Sequence, residues 1–226
     1  MTAEEVLEHI RSLGGERNRQ GMARFGIAVA NAAGVSMASL RPLARQLGKN
    51  HALALALWDA TLHEARILAC MTADPAQATP GLLERWVEAL DSWDVCDQFC
   101  NKLVVKTPHA WPLAAAWADR PETFVRRAGF SLMAQLAVHD RMATDGDFTP
   151  CFESIVRHAG DGRNFVKKAV NWALRQIGKR NPQLQVRAIA VAEELLAMDS
   201  KPARWIARDA LRELRALPAD YRQRKA

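Results

Sequence analysis

Three blocks of one helical pattern recur at nearly equal intervals late in the chain, and this recurrence limits the possible folds more than any other feature. "FVRRAGFSLMAQL" begins at Phe124, "FVKKAVNWALRQI" at Phe165 and "WIARDALREL" at Trp205, intervals of 41 and 40 residues. Each block follows another helical segment that opens near a proline, at Pro112, Pro150 or Pro182. Proline is tolerated in the first turn of a helix, where its missing N–H would have no partner anyway. A two-helix unit cannot bury its apolar face alone but can bury it against its neighbours, which is the logic of an α-solenoid.

The rest of the chain reads the same way. Ala, Leu, Arg, Glu and Gln dominate, and β-branched residues rarely alternate with polar ones over the length of a strand. Breakers fall at 12–15, 32–36, 72–81, 106–112, 119–122, 143–150, 159–164, 179–182 and 199–202. They divide the sequence into helices of roughly 9 to 20 residues joined by short loops. No long linker interrupts them, so residues 1–226 are expected to form one all-α domain, with 216–226 as a basic tail. The shared V-[RK]-[RK]-A core resembles the second helix of a HEAT repeat.

Stacked second helices place corresponding positions in a stripe. On the first block the apolar face is Phe124, Val125, Ala128 and Leu132, and beside it runs a polar line of Arg127, Ser131 and Gln135. One repeat later the line becomes Lys168, Trp172 and Gln176, with Arg175 on an adjacent turn, and then Arg208 and Arg212. Arg127, Lys168 and Arg208 thus repeat a cation at one position, which suits the periodic charge of a phosphate backbone. Trp172 stands where the previous repeat has Ser131. It is either a core residue or an aromatic surface offered to a ligand.

Charge is divided unevenly. The net value is +6, but residues 1–100 hold 9 Lys+Arg against 12 Asp+Glu, whereas residues 101–226 hold 22 against 13. A second half this basic points to a polyanion, nucleic acid before an acidic membrane surface, or to a merely soluble basic protein. No apolar run nears the ~18 residues of a membrane span. The acidic, helical start "MTAEEVLEHI" does not read as a signal peptide. Four cysteines without framework spacing suit reduced thiols in a cytoplasm.

Earlier in the chain, "ALDSWDVCDQFC" sets Trp93 and Asp97 one helical turn apart on a shared face. Either a half-buried ring lies beside a solvated carboxylate, or both point at something cationic. Cys96 and Cys100 have the same spacing but lack the closer pairing and nearby histidine that structural zinc requires. They read as buried thiols, and no metal is expected. "HEAR" at 63–66 begins like a metalloprotease motif but lacks the second histidine, and no Gly-rich phosphate loop is present.

From "MARF" at 22–25 to about Arg215 the chain resembles the DNA alkylation repair glycosylases of the HEAT-like repeat type, the AlkD family. The resemblance is carried by "GVSMASLRPLAR", "LW" followed by "HEARILA", "SWDVCD", "RRAGF" and "FVKKAVNWALRQIGKRNP". It implies a right-handed α-α superhelix with a concave DNA-binding face. It also places the family's site residues on Trp93, Asp97, Arg127 and Trp172. The implied activity is hydrolysis of the N-glycosidic bond of cationic N3- and N7-alkylated purines in duplex DNA, without a cofactor and without base flipping. Asp97 would face the developing oxocarbenium ion, the two tryptophans would wall the lesion, and Arg127 would hold a phosphate. Lys168, Arg175, Arg208 and Arg212 are the further DNA contacts expected. A monomer in the bacterial cytoplasm, associated with the nucleoid through DNA, completes the expectation. The alternative is a non-catalytic HEAT-repeat binder of damaged or branched DNA.

Overall fold

The structure, a computed structural model, describes residues 1–218 and is helical throughout, with no strand among the described residues. Arg222, Arg224 and Lys225 of the basic tail lie outside the described residues. Internal packing divides the chain into two compact units, Met1–Thr107 and the part beginning at Pro108. The division falls inside the 106–112 breaker, where Thr107 precedes a proline and the backbone is extended.

The first unit contains α1 (Ala3–Leu13), α2 (Glu16–Arg24), α3 (Met37–Leu47), α4 (His51–Asp59), α5 (His63–Thr72), α6 (Pro80–Glu88) and α7 (Trp93–Lys102). Helix α5 is its centre, packed against α1, α3, α4 and α7. Eight of the ten α5 residues are buried, as expected of a helix enclosed on most sides. Beside it, Trp58 of α4 and Trp86 of α6 stack with ring centroids 4.1 Å apart and planes 3° apart, and Phe99 of α7 tilts against both. Such aromatic pairs add about 0.5–1.5 kcal/mol beyond their buried area.

Three helix boundaries in this unit lie outside the breakers read from the sequence. Between α4 and α5 the chain turns at Ala60–Leu62 without Gly or Pro, and Thr61 takes a left-handed φ of 58°. Between α3 and α4 the stop is Gly48 at φ 60°, followed by Asn50, whose side chain accepts from the Leu53 N–H at 3.0 Å. Between α6 and α7 the break at 89–92 contains only "ALDS".

The second unit contains α8 (Ala110–Ala118), α9 (Thr123–His139), α10 (Thr149–His158), α11 (Asn164–Gly178), α12 (Pro182–Ala197) and α13 (Lys201–Arg215). Most of its boundaries fall within or next to the breakers read from the sequence, but α9 ends at His139, ahead of the 143–150 breaker, and no breaker marks the end of α13 at Arg215. The helices pair as α8 with α9, α10 with α11 and α12 with α13. The second helices α9, α11 and α13 also pack side by side, and α10 touches both α8 and α12. This is the two-layer stacking that the 40-residue period requires.

Helix α9 departs from the expected amphipathic pattern. Its polar line is internal, with Ser131 fully buried and Arg127 and Gln135 each only 6% exposed. The cause is packing on two sides, by α8 and by α11, and Gly129 lets the α8 backbone approach. Helix α13, packed against α11 and α12, keeps one buried face of Ala203, Ile206, Ala207, Ala210, Leu211 and Leu214.

Candidate functional site

The aromatic–carboxylate pair opens α7. Val95, Cys96, Phe99 and Cys100 turn that helix's inner face into the core, which leaves Trp93 and Asp97 half-buried, one turn apart. The first turn is anchored by residues that the sequence reading did not single out for this purpose. Asp94 accepts from the Ser92 hydroxyl and lies 2.8 Å from Nε2 of His63, which is only 5% exposed at the start of α5. Burial pushes the His63 imidazole toward neutrality, but the hydrogen bond and charge of Asp94, with the charges of Glu64 and Asp91, outweigh it and hold its pKa above the ordinary value. Burial likewise opposes the charged form of Asp94, yet His63 and the Ser92 hydroxyl bring its pKa below the ordinary carboxylate value.

Glu64, the neighbour of His63, explains the rest of "HEAR". Its fully buried carboxylate accepts the backbone N–H groups of Ala33, Gly34 and Val35 at 2.9, 2.7 and 3.0 Å. Gly34 is required there. Its φ is 82°, and a Cβ would meet the Gly15 carbonyl oxygen at 2.4 Å. The motif that began like a metal site therefore fastens the loop before α3 instead.

Trp93 donates its indole N–H to the Phe25 carbonyl oxygen at 3.1 Å. The two residues line a cavity of about 400 Å³ within the first unit, together with Met22, Met37, Ile67 and the His63–Asp94 pair. The cavity is lined by Asp94 and not by Asp97. Met22 and Phe25 belong to the "MARF" stretch, so a signal for this wall was present in the sequence. Cys96 and Cys100 are buried thiols, and no group of three or more metal-binding side chains occurs among the described residues.

The remaining candidates belong to the second unit. Arg127 lies in the first turns of α9 and donates from Nη1 to the Phe165 carbonyl oxygen at 2.8 Å, at the start of α11. The same end of α9 is held by Arg126, which donates to Asp161 at 2.9 Å, and Asp161 also receives Arg163. Burial would raise the Asp161 pKa, but these two guanidinium groups hold it far below the usual carboxylate range. Trp172, midway along α11, is half-buried. With the Gln176 amide oriented to suit its neighbours, Oε1 accepts from Trp172 Nε1 at 3.1 Å and from Lys179 Nζ at 3.2 Å.

The expected DNA-binding cations divide into two groups. Arg175 is committed to Glu213 and Asp209 of α13, and Arg212 to Asp209. Lys179 shares Glu213 at 2.6 Å. Lys168 and Arg208 are exposed and have no carboxylate partner among the described residues. The recurring position thus holds one enclosed cation, Arg127, and two open ones. No described helix is long and apolar enough to cross a membrane.

Comparisons with known proteins agree with this architecture. No curated protein sequence matches the chain. A solved structure described as belonging to a new family of proteins related to the HEAT-like repeat DNA glycosylases, with affinity for branched DNA structures, superposes at a TM-score of 0.79. That match covers 94% of this chain and 95% of the other at 19% identity, so it establishes the HEAT-like repeat fold. The sequence profile of DNA alkylation repair enzymes matches residues 6–214, nearly the whole length of the chain. The chain therefore belongs to the DNA alkylation repair enzyme family.

Proposed function

We propose that the protein is a monofunctional DNA glycosylase that hydrolyses the N-glycosidic bond of purines alkylated at N3 or N7, 3-methyladenine and 7-methylguanine among them. The observation that carries this reading is the pairing of Trp93 and Asp97 at the start of one helix in a member of this family. A purine alkylated at N3 or N7 is already cationic, so it departs as a neutral base and needs no proton from the enzyme. As the C1′–N bond breaks, positive charge builds on the deoxyribose. The Asp97 carboxylate stabilises that charge and orients the water that adds to C1′, whose proton is released. Preorganised charge of this kind contributes roughly 3–4 kcal/mol in typical sites. Trp93 and Trp172 offer π faces to a cationic lesion, worth ~0.5–2 kcal/mol, and the exposed Lys168 and Arg208 hold phosphates. No cofactor enters this chemistry.

The test is release of free base from methylated duplex DNA by the purified chain. Asp97→Asn is expected to lower release at least about a hundredfold while duplex affinity stays equal or rises, because a negative charge near phosphates is lost. Wild-type rates in this variant would exclude Asp97 as the catalytic carboxylate. One observation favours a second reading, that the chain binds branched DNA without excision: the matching solved structure comes from a family described by that affinity. Tight binding of a four-way junction with no base release from the wild-type chain would select it.

A further inference from the structure

Helix α13 repeats, two turns out of step with the 40-residue period, the pattern that presents Trp172 on α11. Lys168-Ala-Val-Asn-Trp172-Ala-Leu-Arg175 and Lys201-Pro-Ala-Arg-Trp205-Ile-Ala-Arg208 share K-x-x-x-W-x-x-R. In the repeat register Trp205 corresponds to Phe124 and Phe165, whose rings pack together at 5.5 Å. The structure treats it differently. Trp205 is 39% exposed, and Lys201, Trp205, Arg208 and Arg212 form one exposed stripe opposite the buried face of α13. Lys167 of α11 stands 4.6 Å from the centroid of the indole.

The indole of Trp205 is partly exposed, and the cations around it outnumber the carboxylates left to answer them. Lys167, Lys168, Lys201 and Arg208 have no carboxylate partner among the described residues, whereas nearby Asp209 and Glu213 are already neutralised by Arg175, Arg212 and Lys179. An indole beside cations that lack carboxylate partners fits a planar base attached to a phosphate backbone. It does not fit an apolar protein surface, which would leave those cations desolvated.

We propose that Trp205 is a stacking platform for an unpaired base, with Lys167 and Lys201 taking the flanking phosphates. The site receives single-stranded DNA adjoining a bound duplex. The proposal rests on DNA being the partner but not on base excision. Its test uses the full chain, a blunt duplex, and the same duplex with a short single-stranded overhang carrying 2-aminopurine. Wild-type protein is expected to prefer the overhang substrate and to change the 2-aminopurine fluorescence. Trp205→Ala should weaken overhang binding by about tenfold and leave blunt-duplex affinity and base release unchanged, and Trp205→Phe should recover most of the loss. No preference for the overhang in the wild type, or equal affinity of Trp205→Ala for it, would overturn the site. An equal loss on the blunt duplex would also overturn it, by making Trp205 a duplex contact or a support of the fold. A wild-type chain that binds neither DNA would instead remove the partner itself.

Discussion

His63 and Asp94 tie α5 to the first turn of α7, and the position of Trp93 depends on that turn. The pair is charged over a bounded pH window. The His63 contribution is complete below its ordinary value of 6.5 and is lost as pH rises through its higher folded-state value. The Asp94 contribution is complete above 3.8 and is lost as pH falls through its lower folded-state value. Asp94→Asn keeps the shape and removes the charge, so it should cost about 1–3 kcal/mol inside that window and less at alkaline pH. Denaturant unfolding of both proteins across pH measures this, and a difference that does not vary with pH would show that the pair acts without charge. None of this was legible beforehand. Trp93 and Asp97 were visible as a one-turn spacing, but the link between His63 and Asp94 spans 31 residues and depends on how two helices pack.

At the scale of single elements, sequence was a good guide where Gly and Pro cluster in the second unit, although the lone Gly48 stop before α4 was not read as a breaker. Helices α8, α10, α12 and α13 begin inside predicted breakers because Pro112, Pro150, Pro182 and Pro202 each sit in the first turns of a helix. In the first unit, the turn at Ala60–Leu62 is imposed by packing and left no local mark. The enclosure of α9 was equally hidden, because its polar line matched that of an exposed helix. One glycine in that helix offers a sharp test. Ala is the better helix former by about 1 kcal/mol, so Gly129→Ala would stabilise an isolated α9. In the protein, the added Cβ would lie 2.3 Å from the Ala118 nitrogen and 2.9 Å from the Ala114 carbonyl oxygen, and backbone cannot step aside as a side chain can. The expected result is a net loss of about 1–3 kcal/mol, read as a lower Tm. A variant as stable as wild type would mean that α8 and α9 do not approach this closely.

Across the whole molecule, the division of charge foreshadowed the division of labour among side chains but not which cations are open. Residues 1–100 have net charge −3 and residues 101–226 have +9. Sequence periodicity marked Arg127, Lys168 and Arg208 as equivalent, yet burial separates them. Arg127 is bound to a carbonyl inside the second unit, while Lys168 and Arg208 stand in solvent. Electrostatic DNA binding releases one set of counterions per phosphate contact, so the slope of log K against log salt counts contacts. Lys168→Ala with Arg208→Ala should reduce the magnitude of that slope by about 1.8, near 0.9 for each phosphate lost. Arg175→Ala should reduce it by less, because Glu213 and Asp209 already hold that guanidinium. Arg127→Ala should show itself first as lost stability, since it leaves the Phe165 carbonyl without its side-chain donor. The measurement is a salt titration of duplex affinity for each variant. An unaltered slope in the Lys168–Arg208 double variant would place the phosphates on other residues. A full 0.9 lost on replacing Arg175 would show that DNA displaces its carboxylates on binding.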